Sequence, residues 1–113
     1  MNNPDWRAYE RFIIRQQLEA GCDGIFFDNP TVHPQGCYCG CCMERFAQFL
    51  DREGLLPAGN PLAVKDLREL ADQQPAAFMR FRGTIARDFL SAMCAFARSL
   101  KSTALVTANN SLN

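Results

Sequence analysis

The sequence predicts an α/β fold built on a parallel sheet, and three observations carry that prediction. Two short apolar runs, one within Cys22 to Pro30 and one within Thr103 to Ala108, are apolar on consecutive positions and bounded by turn-forming residues, as strands buried on both faces are. Only helical periodicity lies between them, and two strands joined through helices in one sheet run parallel with a right-handed connection. Two strands cannot close a sheet, and the sequence stops a few residues after the second. The chain is therefore expected to be one piece of a larger α/β domain, with about two strands and their connecting helices.

The elements follow in order. Asn3 is a predicted N-cap and Pro4 a first helical residue, with Trp6, Tyr9, Phe12 and Ile13 at helical spacing up to a stop at Gly21. The first strand comes next, and then a loop from Thr31 to Gly40 whose Pro34 and two Gly exclude regular structure. Met43, Phe46, Phe49 and Leu50 restore the helical period until Gly54. Asn60-Pro61 reads as the cap of a short helix carrying Leu62, Leu67 and Leu70. A long helix is predicted from Pro75 to Leu100 with Phe78, Phe81, Ile85, Phe89, Ala92 and Phe96 on one stripe; Gly83 costs it about 1 kcal/mol without stopping it.

Composition excludes several classes of partner. Twelve Lys and Arg balance 12 Asp and Glu, so there is no excess of basic charge of the kind that binds nucleic acid or an anionic membrane. No uncharged apolar run approaches the roughly 20 residues that span a bilayer. The start, Met1-Asn2-Asn3-Pro4-Asp5-Trp6, lacks the basic and apolar regions of a signal peptide, so it is expected to be cytoplasmic or internal to something longer.

Of six cysteines, four crowd into Cys37 to Cys42. Disulfide scaffolds spread their cysteines to close separate loops, whereas a C-x-C-x-x-C cluster converges thiolates on one point. Cys37, Cys39 and Cys42 are thus candidate ligands of a structural Zn²⁺, with Cys42 at a helix start where the dipole favours anionic sulfur. An unmetallated loop, a disulfide, or redox use of Cys39-x-x-Cys42 are the competing readings. A fourth ligand is missing from the pattern. Cys22 lies at the far end of the first strand and Cys94 within the long helix, which leaves His33, Cys41 or a residue outside this chain.

Asp28 and Asn29 stand at the C-terminal end of the first strand, the edge where parallel α/β folds build their sites. An Asx-turn is the structural alternative for Asp28. Asn109 and Asn110 occupy the equivalent edge of the second strand, so their side chains would face the same cavity. Asp23 belongs to the opposite end and reads as a solvated carboxylate. His33, the only histidine, has no Ser or acidic partner at a spacing that would argue a triad.

The run Gly24-Ile25-Phe26-Phe27-Asp28-Asn29, followed by Cys37-x-Cys39-x-x-Cys42-x-x-x-Phe46-x-x-x-Leu50, resembles the middle of a (β/α)8-barrel glycoside hydrolase of the β-galactosidase type and its uncharacterised relatives. Leu105-Val106-Thr107-Ala108-Asn109 is similar to that group's next strand. The resemblance implies a partial (β/α)8 TIM barrel over residues 1–113, from roughly the third helix to the fifth strand. It also implies a zinc site in which the three loop cysteines are joined by a fourth from an earlier barrel loop. In that group the fourth strand ends in Asn-Glu with the Glu as general acid/base, but here Pro30 follows Asn29, so that role does not carry over. By analogy with retaining barrel glycosidases whose fourth strand ends in a nucleophilic Asp, Asp28 would be the catalytic residue, with Asn29 and Asn109 binding substrate. Since glycoside hydrolysis needs two carboxylates flanking the bond, the chain alone is expected to be inactive. It would contribute to a parent that hydrolyses O-glycosidic bonds of a carbohydrate substrate. The alternative is a non-catalytic, zinc-stabilised structural or carbohydrate-binding segment.

Overall fold

The structure, a computed structural model, describes residues 1–30, 36–56 and 64–109. Its elements are α1 (Pro4–Glu19), β1 (Gly24–Phe27), α2 (Gly40–Arg52), α3 (Val64–Gln73), α4 (Pro75–Leu100) and β2 (Leu105–Ala108).

Local chemistry sets most of these boundaries. The Asn3 side-chain oxygen accepts from the amides of Asp5 at 2.7 Å and Trp6 at 3.1 Å, and Pro4 takes the first helical position, where its missing N–H costs nothing. Both α1 and α2 end in the same six-residue device. Cys22 N–H donates to Gln17 O and Gly21 N–H to Leu18 O; Leu55 N–H donates to Leu50 O and Gly54 N–H to Asp51 O. The motif needs a left-handed residue, supplied by Gly21 at φ +96° and Gly54 at φ +66°. The predicted cap at Asn60-Pro61 lies outside the described residues.

The expected α/β partial TIM barrel is overturned. About two thirds of the described residues are helical, and the strands among them are two of four residues each, paired only with one another. They are parallel, as expected, with Gly24 opposite Leu105 and Phe27 opposite Ala108. In a (β/α)8 barrel each strand is followed by one helix and then the next strand. Here three helices intervene, and α2, α3 and the first half of α4 build a core away from the sheet. Burial on both strand faces is also not what forms. Ile25 and Phe27 point into the protein, whereas Phe26 and Leu105 are 58% and 70% exposed on the outer face. A consecutive apolar run cannot distinguish these cases, because it records what a strand tolerates and not what covers it.

Two cores result, and α4 spans both. Its N-terminal half packs Ala77, Phe78, Phe81 and Ile85 against α2 and α3, around a fully buried Phe46 whose ring lies 5.1 Å from Phe78 and 5.2 Å from Phe81. Its C-terminal half packs Phe89, Met93 and Ala97 against Ile14 of α1 and Ile25 and Phe27 of β1. Met1 touches both clusters. The face of α1 expected from Trp6, Tyr9, Phe12 and Ile13 is not the one that docks: Trp6, Tyr9 and Phe12 are half exposed and Ile13 half-buried, because α1 docks through Ile14 and Leu18 while Arg11 and Arg15 lie over the Phe96 ring. No described helix is long and apolar enough to cross a membrane.

Candidate metal centre and adjoining cavity

The loop before α2 carries Cys37 and Cys39, and the first turn of α2 carries Cys42. Cys39 is the N-cap in extended geometry (φ −67°, ψ 163°), and its carbonyl accepts from the amides of Cys42 and Met43, both at 3.0 Å. That turn folds Cys42 back over the loop. The three sulfurs lie within 4.8 Å of one another. A 2.3 Å Zn–S bond and tetrahedral angles need sulfurs about 3.8 Å apart, so the group needs to close by only about 1 Å to hold an ion. These three cysteines can bind a metal ion. Cys41 is not among them although the adjacent Cys42 is, since consecutive residues of a helical turn point in different directions. Cys22 is exposed and Cys94 half-buried, each away from the cluster, and all six thiols are free of disulfides. His33 lies outside the described residues.

The environment separates the ligands electrically. Amides at the start of α2, Cys42 N–H foremost, hold the Cys39 pKa below the ordinary thiol value, with further help from the Cys37 and Cys42 side chains. Burial pushes Cys42 the other way, to about 12, and the neighbouring Cys37 and Cys39 add to the rise. Asn2 opposes it: its side-chain amide donates to Cys42 Sγ at 3.4 Å. Asn2 is 6% exposed, held in place as the Arg7 guanidinium donates to Met1 O at 2.7 Å. No sequence signal pointed to Asn2, because its partner is 40 positions away.

The residues at the strand ends do come together. Asn109 Nδ2 donates to Asp28 Oδ1 at 2.8 Å, and the Asn29 amide donates to Asn109 Oδ1 at 2.6 Å. Asn29 sits at φ +46°, a left-handed conformation that Asn tolerates better than other side chains, and this turns the chain out of β1. Asn110 lies outside the described residues. Asp23, at the opposite end of β1, accepts from Lys101 Nζ at 2.9 Å, which holds its carboxyl below the usual range.

A cavity of about 380 Å³ opens between the two cores, and both candidate groups border it: Cys37 and Cys42 on one side, Asp28 and Asn29 on another. Glu10 and Arg82 also line it. Sequence reasoning passed over both. Arg82 had a signal, since it falls at a stripe position of α4 between Phe78, Phe81, Ile85 and Phe89, where a cation is out of place. Compared with known protein families, with curated proteins and with solved structures, the chain shows no match.

Proposed function

We propose that this chain is a zinc-binding domain in which Cys37, Cys39 and Cys42 hold a structural Zn²⁺. The observation that carries the reading is the convergence of three sulfurs within 4.8 Å at the entry to α2. Thiolates are soft donors that select Zn²⁺ over the oxygen-seeking Mg²⁺ and Ca²⁺, and zinc accepts their tetrahedral arrangement without a geometric preference of its own. The fourth position is left to solvent or to a ligand from outside the described residues. The metal's role is shape: it ties the loop around Cys37 and Cys39 to the first turn of α2, and through Cys42 to the buried Asn2. Metal analysis of the protein purified under reducing conditions is expected to find close to one zinc per chain. Cys39→Ser should lose it and Cys94→Ser should keep it. Absence of metal, or equal loss from both substitutions, would overturn the reading.

A second reading concerns Asp28, and the presence of Glu10 on the wall of the same cavity favours it. Hydrolysis of an O-glycosidic bond takes two carboxylates, and these two belong to one cavity. Aryl glycoside turnover by a protein containing this chain, abolished by Asp28→Asn and by Glu10→Gln, is the outcome it requires. Turnover unchanged in either variant ends it.

A further inference from the structure

The cavity has a chemistry that the metal reading does not use. We propose that it binds a small monocarboxylate with an apolar or aromatic body, the carboxylate held by the buried guanidinium of Arg82.

Three features point to that ligand class. The first is size, since about 380 Å³ lies at the lower end of the range of small-molecule sites. The second is the wall, where Trp6, Phe27, Phe81, Ile85 and Phe89 present a largely apolar and aromatic surface. Such a wall favours a ligand with a hydrophobic body. The third is the charge at its side. Arg82 is only 4% exposed yet lines the space, and the low dielectric around a buried guanidinium strengthens its attraction for an anion. Its planar fork matches a carboxylate with two parallel N–H···O bonds. Five N–H donors let it hold a ligand in addition to its contacts within the protein, which include Met79 Sδ at 3.9 Å and the Phe78 ring at 5.7 Å.

The other charges on the wall narrow the class. Asp28 is exposed and already accepts from Asn109, while Glu10 is half-buried. Solvent weakens both relative to Arg82. They still repel anions, so a phosphate ester or a dicarboxylate meets two like charges for one opposite charge. A single carboxylate meets the fork with the least repulsion, and its apolar body fills the aromatic wall.

Trp6 is the only tryptophan and lines the cavity, so its fluorescence reports occupancy. Titration of the full chain with phenylacetate is expected to give a saturable change in that emission. The Arg82 side-chain Nε–H resonance should shift along the same isotherm. Phenethylamine and benzyl alcohol, which keep the aromatic body and lose the carboxylate, should bind at least tenfold more weakly, and inorganic phosphate should not compete. Arg82→Met should weaken phenylacetate binding by tenfold or more, and Arg82→Lys by less. Equal or tighter binding of phenethylamine would show that Asp28 and Glu10 govern the cavity and would overturn the proposal. So would effective competition by phosphate, or unchanged affinity in Arg82→Met. If Arg82→Met does not fold, the wild-type Arg82 resonance decides alone: no shift on saturation overturns the proposal.

Discussion

At the scale of single residues, the behaviour of the metal centre depends on Asn2 and Cys42. Hydrogen bonds from outside the ligand set commonly carry ten- to a hundredfold in metal affinity, by orienting ligands and stabilising their charge. Asn2→Ala is therefore expected to weaken zinc binding about tenfold in competition with a chromophoric chelator. Unchanged affinity would show the amide contact with Cys42 Sγ to be packing only. Cys42 also sets a pH dependence in the absence of metal. Burial raises its pKa from the ordinary 9.0 to about 12, so the folded state prefers the neutral thiol more than the unfolded chain does. The resulting stability is fully present below pH 9 and is lost as pH rises toward 12. Melting temperatures of metal-free protein should fall across that interval, and Cys42→Ala should fall less steeply. Parallel slopes would remove Cys42 as the cause.

At the scale of elements, two glycines behave oppositely for legible reasons. Gly24 faces Leu105 across the parallel pair so closely that an added methyl would stand 2.8 Å from Leu105 Cβ and closer still to its carbonyl oxygen. Backbone cannot yield as a flexible side chain can. Gly24→Ala is expected to destabilise the protein by about 2 kcal/mol in urea unfolding, by parting β1 from β2. Gly83 sits exposed in the middle of α4 with nothing near its missing Cβ. There alanine only lowers the entropy of the unfolded chain and raises helix propensity, so Gly83→Ala should stabilise by about 0.5–1 kcal/mol. A destabilised Gly83→Ala variant would mean that the helix face carries a contact the described residues do not contain.

At the scale of the whole molecule, α4 joins a core around Phe46 to a core around Ile14, Phe27 and Met93. The metal cysteines belong to the first side alone, through Cys42. Zinc removal is thus expected to raise amide exchange over residues 36–43 and the start of α2 while leaving β1 and β2 protected. Exchange rising equally in both strands would show that the two cores open as one unit. Phe46→Ala, with the ring fully buried among three other phenylalanines, should cost about 3–5 kcal/mol by leaving a cavity the neighbours cannot fill.

What the sequence determined by itself is what depends on neighbours a few residues apart. Asn3 and Pro4 begin α1, Gly21 and Gly54 end α1 and α2, and the spacing of Cys37, Cys39 and Cys42 gathers three thiols at the entry to α2. The aromatic stripe of α4 is legible in the same way, and so is the parallel pairing of two runs joined through helices. Tertiary structure alone decided how these parts cover one another. It left Phe26 and Leu105 facing outward, where the apolar run suggested burial, and it gave α2, α3 and the first half of α4 a core away from the sheet in place of a barrel wall. It brought Asn2 to Cys42 and set Arg82 and Glu10 on one cavity with Asp28. The physical reason is range. Caps, turns and ligand spacing are settled by short loops of chain, whereas burial and cavity walls depend on which distant surfaces meet, and periodicity records only that a surface is apolar.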